Sequence, residues 1–260
     1  MSWLSDLVQV IVPSVLDMIL KPAQEVVTEI RSDPAQAKQL ALLVQMMREH
    51  KAHYEDLLRR LDSSKIISFN DLRERDAEMA AELVRLAQAT PRLELAGKNI
   101  GFFGLTSVGK TSIVNRIAGR DVGARSPGES GTEINTYATQ TERLWDFPGI
   151  NDHHNYCSLR YIATIKGLTQ RVLVINHTIK EVSSLVHLLR ALQLSFIVAV
   201  TKCDYVDDDE MALFQRQVRA ERDTLCPNVE VVFVAGRALR SMGPRVALDA
   251  EWARLLQILA

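Results

Sequence analysis

The spacing of apolar residues divides the chain into two parts that follow different periods. In the first part, apolar residues recur every three or four positions, which is the period of an amphipathic helix. One helix is predicted over Trp3–Leu20. A second begins at Asp33, which can cap it, with Pro34 in the first helical position. A third is predicted over Asn70–Thr90, where four apolar side chains form one stripe among many charges.

From Lys98 onward, short apolar runs alternate with helical stretches. This alternation predicts an α/β fold, with a mostly parallel, doubly wound sheet that follows the N-terminal helical segment. Two further runs, Thr136–Thr141 and Arg143–Asp146, predict a hairpin that adds one antiparallel strand. The predicted parallel strands are Ile100–Phe103, Arg171–Ile175, Ser195–Val200 and Glu230–Val234, and the predicted helices are Asn155–Lys166, Lys180–Leu192, Asp208–Arg222 and Leu248–Leu259.

The distribution of glycine places a domain boundary near residue 97. The first 96 residues contain no glycine, whereas nine of the twelve glycines lie between Gly97 and Gly149. Glycine weakens a helix interior by about 1 kcal/mol relative to alanine, so a glycine-free segment suits helices. We therefore predict an N-terminal helical domain at residues 1–96 and a second domain at residues 97–260.

Composition and charge narrow the functional classes only a little. The formal net charge is −1 at pH 7, which gives no reason to expect a nucleic acid as a partner. The three cysteines, an odd number without close pairing, favour a reducing compartment, and we expect a cytoplasmic location. The N-terminus lacks a basic leader, and no apolar run reaches the length of a membrane span. Trp3–Leu20 could contact a membrane surface, but it lacks a cationic polar face, so packing against other helices is favoured.

The segment from Gly104 to Ser112, GLTSVGKTS, matches the phosphate-binding loop pattern and lies between a predicted strand and a predicted helix. Gly104 and Gly109 let the backbone approach a phosphate, and the loop N–H groups form a cradle for the anion. Lys110 would reach the terminal phosphates, and the hydroxyl of Thr111 would hold Mg²⁺. The predicted nucleotide-binding residues here are Gly104, Ser107, Val108, Gly109, Lys110, Thr111 and Ser112.

A second motif, DFPG, begins at Asp146 and follows a predicted strand. Its position places Asp146 beside the magnesium ion, with a water molecule between them, and the N–H of Gly149 can bond a terminal phosphate. The bond is lost when that phosphate leaves, and the following loop then relaxes. The next residue is Ile150, and an apolar side chain cannot orient a water molecule, so hydrolysis is expected to be slow without outside help.

A threonine between the first two motifs should also reach the magnesium ion. Thr132 is predicted for this role because it leaves room for the hairpin strand before Asp146, and Thr136 is the competing candidate. The surrounding loop is rich in glycine, serine and proline, as expected of a mobile segment. The predicted catalytic residues are thus Lys110, Thr132 and Gly149, and the predicted metal ligands are Thr111, Thr132 and Asp146.

A third motif, TKCD, spans Thr201 to Asp204 directly after a predicted strand. The Asp204 carboxylate can accept two hydrogen bonds from the ring N–H and the amine of guanine, whereas adenine lacks this donor pair. Lys202 would pack its stem along the base. After the last predicted strand, a backbone N–H of Ala235 or Gly236 could contact the guanine oxygen. This residue set favours guanine over adenine and argues against an ATPase that uses the same loop.

In their order and content, these motifs resemble those of the GTPase superfamily over Lys98–Ala260. The strings WDFPGI and TKCD, together with the helical segment before them, look like the immunity-related GTPases, a dynamin-like group. This resemblance implies a GTP hydrolase that uses Mg²⁺, dimerises or forms higher oligomers through its nucleotide domains and acts at a membrane surface in cell-autonomous defence.

The resemblance leaves two functions open. The first is a GTPase whose missing catalytic charge comes from a second copy of the chain, with Arg120 and Arg125 as candidates because they flank the mobile loop. His153 and His154 are alternative groups for orienting water. The second is a nucleotide-binding scaffold that hydrolyses little GTP and works through its helical segment. The apolar side chain of Ile150 is the reason that this second function stays open.

Overall fold

The computed structural model describes residues 34–122, 134–150, 154–235 and 246–260. The chain forms two compact units. The described part of the first, helical unit comprises residues 34–67, 71–93 and 157–166. The second unit contains all six strands of the β-sheet.

The helical unit is built on two long helices, α1 (Pro34–Ser63) and α3 (Ala77–Ala89), with the short α2 (Phe69–Arg75) between them in sequence. The apolar side chains in the second half of α1 and along α3 are buried, including Tyr54, Leu57 and Leu83, whereas Leu43 and Met46 in the first half of α1 are exposed. The start of α1 at Pro34 agrees with the sequence. None of the helices in the described ranges combines the length and the apolar character that a bilayer crossing requires.

The prediction of one continuous helix from Asn70 to Thr90 is wrong. The helix is interrupted at Asp76, whose φ of −149° is not helical. The Asp76 Oδ1 atom accepts a hydrogen bond of 2.8 Å from the N–H of Met79, so Asp76 ends α2 and caps α3. The apolar stripe continues across this break, which is why periodicity alone did not reveal it.

A segment from the second half of the chain belongs to the helical unit. Residues Cys157–Lys166, which include most of α5 (Leu159–Gly167), group with α1 and α3. Tyr54 Oη donates to the carbonyl of Cys157 at 2.7 Å. Lys166 Nζ donates to the carbonyls of Ala87 at 3.0 Å and Gln88 at 2.8 Å, at the end of α3. The domain boundary at residue 97 stays a prediction. In the structure, the chain passes from the helical unit to the second unit after Leu93, and it returns to the helical unit for Cys157–Lys166.

The second unit contains a six-stranded sheet in the order β2-β3-β1-β4-β5-β6. Every pair of neighbouring strands is parallel except β2 and β3, so the predicted doubly wound sheet with one antiparallel strand is confirmed. Strand β5 is apolar and buried along its length, and β4 is apolar and buried from Val172 onward, as expected of a sheet with both faces covered. The strands are β1 (Lys98–Phe103), β2 (Asn135–Ala138), β3 (Glu142–Asp146), β4 (Gln170–Ile175), β5 (Ile197–Val200) and β6 (Val231–Phe233), and the helices are α4 (Lys110–Ala118), α6 (Ser183–Ala191), α7 (Asp208–Leu225) and α8 (Val246–Leu259).

The register of the sheet brings the carboxyl ends of the parallel strands to one edge. Phe102 lies opposite Asp146, Ile175 lies opposite Val200, and Val200 lies opposite Phe233. All of the sequence motifs follow these strand ends, so the fold gathers them along this edge. Ligands of open α/β sheets bind at this position.

Candidate nucleotide-binding site

The loop between β1 and α4 has a backbone that only particular residues can adopt. Gly104 has a φ of +147°, and a Cβ atom there would lie 2.1 Å from the carbonyl oxygen of Val174. Gly109 has a φ of +99°, and Ser107 is also left-handed, with a φ of +63°. This sequence of turns folds the loop back on itself and lets its N–H groups converge.

Several N–H groups of this loop have no acceptor within the part of the chain that the structure describes. They belong to Val108 and Gly109, and to Thr111 and Ser112 in the first turn of α4. The first N–H of the helix to find a backbone acceptor is that of Ile113, which donates to Gly109 at 3.1 Å. Unpaired donors at a helix N-terminus form a site for an anion, and phosphate oxygens fit them.

Lys110 lies within the loop rather than in solvent, with only 6% of its surface exposed. Its Nζ atom donates to the carbonyls of Gly104 at 3.2 Å and Leu105 at 2.7 Å. These two bonds hold the ammonium group against the start of the loop, where the sequence predicts contact with the terminal phosphates.

A buried carboxylate lies beside the hydroxyl of Thr111. Asp146 is fully buried at the end of β3, and its Oδ2 atom accepts a hydrogen bond of 2.7 Å from Thr111 Oγ1. Its second oxygen, Oδ1, has no hydrogen-bond partner among the described residues. A buried carboxylate oxygen without a partner is costly, and a hard cation would satisfy it. The pair Thr111 and Asp146 therefore fits Mg²⁺.

The two candidates for the switch threonine have different positions. Thr132 lies outside the described residues. Thr136 is exposed in β2 and pairs with Trp145, whereas Asn135 pairs with Asp146. Because neighbouring side chains of a strand point to opposite faces, Thr136 faces away from Asp146 in this hairpin. In this structure, Thr136 therefore does not lie with Thr111 and Asp146 at the predicted metal site.

The loop after β3 packs directly on the phosphate loop. A Cβ atom added at Gly149 would lie 2.2 Å from Thr106 Oγ1 and 2.7 Å from the Thr106 backbone nitrogen. The N–H of Ile150 donates to the carbonyl of Gly104 at 3.2 Å. The N–H of Gly149 has no acceptor among the described residues. Only glycine allows this close approach, and it leaves a donor beside the loop, as the predicted phosphate contact requires.

The TKCD motif is tied to the phosphate loop by its first residue. The hydroxyl of Thr201 lies within hydrogen-bonding distance of the carbonyls of Val108 and Ile175, the latter at 3.1 Å. Lys202 adopts a left-handed φ of +58° and is exposed at the start of the next turn. Burial raises the pKa of the Cys203 thiol to about 12, so this side chain stays neutral at ordinary pH.

The two predicted base-recognition segments lie side by side. The N–H of Cys203 donates to the carbonyl of Val234 at 3.4 Å, which joins the TKCD motif to the end of β6. Asp204 is half-buried, and its carboxylate has no partner in the described ranges. Ala235 is fully buried at this position, and Gly236 lies outside the described residues.

Two residues of the site were missed from the sequence. Thr106 contacts Gly149 but occupies a variable position of the loop pattern, which gives no signal. Arg116, on α4, donates from Nη1 to the carbonyl of Ala235 at 2.7 Å. A single arginine in a helix is usually a solvated side chain, so the sequence offered no reason to select it.

Residues 99–202 match the family model described as 50S ribosome-binding GTPase. The match contains the phosphate loop, the segment from Asp146 to Gly149 and the first two residues of TKCD. Together with the strand order, it identifies the fold as that of a P-loop GTPase domain.

Solved structures of GTP-binding proteins are also similar to this chain. A probable GTP-binding protein, engB, is 18% identical over 62% of this chain and 98% of its own, with a TM-score of 0.41. Toc33 from Arabidopsis thaliana, in complex with GDP and Mg²⁺, is 16% identical over 64% of this chain and 82% of its own, with a TM-score of 0.45. A GTP-binding protein from the archaeon Sulfolobus solfataricus, in complex with GDP, is 18% identical over 83% of this chain and 67% of its own, with a TM-score of 0.39. No curated protein matches the chain.

Proposed function

We propose that the chain binds GTP with Mg²⁺ and hydrolyses it to GDP and phosphate. The observation that carries this proposal is a set of unsatisfied groups at one edge of the sheet. Unpaired loop N–H groups lie next to a buried carboxylate oxygen of Asp146 that also lacks a partner. A nucleoside triphosphate with its magnesium ion would satisfy both, because its oxygens would accept from the donors and the carboxylate would help to hold the metal.

The residues of the site divide the work of binding and catalysis. The loop N–H groups and Lys110 bind the phosphates, and Gly149 donates to the terminal phosphate. A bound Mg²⁺, held by Thr111 and Asp146, would neutralise charge that develops on the phosphate oxygens. Asp204 accepts from the guanine edge and disfavours adenine.

The proposed source of water activation is a second copy of the chain. Ile150 is apolar, so it cannot orient the attacking water, and its N–H is already bonded to Gly104. Arg120 is exposed just beyond the end of α4 and could supply a positive charge to a partner's phosphates. Of the other candidates, Arg125 and His153 lie outside the described residues, and His154 begins a short 3₁₀ helix. A charge supplied in trans can accelerate GTP hydrolysis about 10³-fold or more.

We expect the turnover per molecule to rise with protein concentration. Phosphate release from GTP is measured over a range that spans dimer formation, and the specific rate should increase by about tenfold or more. Arg120→Ala should flatten this dependence, whereas Arg216→Ala, at an exposed arginine on α7, should preserve it. A specific rate that is constant over the whole range contradicts activation in trans.

A nucleotide-binding scaffold with little hydrolysis is the second candidate function. The apolar Ile150 favours it, since no side chain at that position can polarise water. If the chain binds GTP but releases phosphate no faster than Lys110→Ala at any protein concentration, the hydrolase function is rejected and the scaffold function is supported.

The closer relation to the immunity-related, dynamin-like GTPases is a further proposal. Its support is the string WDFPGI, the TKCD motif and the helical unit before the phosphate loop. This relation implies a cytoplasmic protein that contacts a membrane surface through Trp3–Leu20. That segment lies outside the described residues. Deleting residues 1–21 should reduce flotation with liposomes, and equal flotation of the intact and shortened chains removes this role.

A further inference from the structure

Thr106 lies between two groups that the proposed function assigns to the terminal phosphate. On one side it contacts Gly149, where an added Cβ atom would lie 2.2 Å from Thr106 Oγ1 and 2.7 Å from the Thr106 backbone nitrogen. On the other side, the carbonyl of the preceding residue, Leu105, accepts a hydrogen bond of 2.7 Å from Lys110 Nζ. The hydroxyl of Thr106 therefore lies at the end of the site where the terminal phosphate is expected.

The position of this hydroxyl is well defined before any nucleotide binds. The N–H of Ile150 donates to the carbonyl of Gly104 at 3.2 Å, which joins the loop after β3 to the start of the phosphate loop. Threonine is branched at Cβ, so its χ1 angle has few favourable values, and the close contact with Gly149 limits it further. Little freedom remains to be lost when a substrate arrives.

Two other hydroxyls near the site are already committed to the protein. Thr111 Oγ1 donates to Asp146 Oδ2 at 2.7 Å, and Thr201 Oγ1 lies within hydrogen-bonding distance of two backbone carbonyls. Thr106, in contrast, is exposed to solvent, so water can reach it. A hydroxyl oxygen has two lone pairs besides its one proton, so it can accept from a water molecule whatever its own proton bonds.

We propose that the hydroxyl of Thr106 is a catalytic group that accepts a hydrogen bond from the attacking water and orients it toward the terminal phosphate. The proposal rests on the GTP hydrolysis proposed above. It gives to the phosphate loop a task that the apolar side chain of Ile150 cannot perform. A charge supplied by a second copy would act on the phosphate oxygens, whereas Thr106 acts on the water.

In the reaction, the water oxygen forms a bond to the terminal phosphorus while the bond from that phosphorus to the bridging oxygen of GDP breaks. One proton of the water passes to an oxygen of the released phosphate, so Thr106 is unchanged at the end. Its contribution is orientation, which lowers the barrier without altering the affinity for GTP.

The test separates the hydroxyl of Thr106 from its shape. Thr106→Val keeps the shape and removes the hydroxyl, and in the full chain it should reduce kcat for phosphate release about tenfold or more. The Kd for GTP, measured by titration, should stay within about twofold of the wild-type value. Thr106→Ser keeps the hydroxyl and removes the methyl group, and its kcat should stay within about threefold of the wild type.

The matched control is Thr224→Val, which removes an exposed hydroxyl in the last turn of α7. It should leave both kcat and Kd at the wild-type values. All four proteins are compared at the same protein and Mg²⁺ concentrations, with saturating GTP, and thermal unfolding confirms that each variant is folded.

The proposal is overturned if Thr106→Val keeps the wild-type kcat, or if Thr106→Ser loses as much as Thr106→Val, since the side chain then serves only to pack against Gly149. It is also overturned if the variants weaken GTP binding and leave kcat unchanged. In each of these cases the wild-type chain still hydrolyses GTP, so the proposed function stands. A wild-type chain that binds GTP and releases no phosphate rejects the hydrolase, and the role of Thr106 with it.

Discussion

Replacing Asp204 with asparagine should transfer the preference of the site from GTP to XTP. The Asp204 carboxylate accepts two hydrogen bonds from guanine in the proposed complex, whereas asparagine offers one acceptor and one donor. Xanthine carries an oxygen in place of the 2-amino group of guanine, so the new donor has an acceptor only on xanthine.

The expected loss of GTP affinity is large, because both lost hydrogen bonds involve a charged group. Two such bonds are together worth about 3 kcal/mol or more, which corresponds to roughly 100-fold or more in Kd. The measurement is an equilibrium titration of the wild type and Asp204→Asn with GTP and XTP. The GTP to XTP affinity ratio should invert in the variant.

Asp209→Asn provides the matched control, since Asp209 is exposed in the first turn of α7, just beyond the motif. It should leave the GTP to XTP ratio at the wild-type value. If Asp204→Asn also leaves that ratio unchanged, Asp204 does not contact the base.

Replacing Lys110 with alanine should weaken GTP binding by about 100-fold and reduce phosphate release to background. The buried ammonium makes hydrogen bonds of 3.2 and 2.7 Å to the loop carbonyls and is expected to add charge-assisted bonds to the phosphates. Two such bonds are worth about 3 kcal/mol. Fluorescence titration with a GTP analogue and a phosphate-release assay measure the two effects.

A lysine at the opposite end of β1 is the control for Lys110. Lys98 Nζ also donates to a backbone carbonyl, that of Ala260, at 2.9 Å. Lys98→Ala should bind GTP as the wild type does. Thermal unfolding without nucleotide is compared for both variants, and unchanged GTP affinity in a folded Lys110→Ala would show that the loop does not bind the phosphates.

The sequence predicted the sheet and the motif positions because both depend on local patterns. Short apolar runs alternating with helical stretches define a parallel sheet, and strand ends in such a sheet share an edge. The phosphate loop was recognisable because Gly104 and Gly109 occupy backbone positions that other residues adopt with difficulty. Asp146, at the end of β3, was placed beside Thr111 by motif order, and the 2.7 Å contact agrees with that prediction.

One local feature was missed because the apolar stripe continues across it: the break at Asp76, which depends on the hydrogen bond to Met79 three residues on. Features that depend on contacts between distant residues were not predictable. The grouping of Cys157–Lys166 with the helical unit depends on bonds such as Lys166 to Ala87, across many residues of sequence. The contact of Arg116 with Ala235 joins a helix and a strand end that no local pattern connects.

The most direct test of the account is a titration of the full chain with a fluorescent GTP analogue in the presence of Mg²⁺, followed by displacement with unlabelled nucleotides. We expect saturable binding that GTP and GDP displace and that a roughly 100-fold excess of ATP leaves in place. Binding that does not saturate, or displacement by ATP at the same concentration as GTP, would contradict a guanine-specific phosphate site at Lys110 and Asp204.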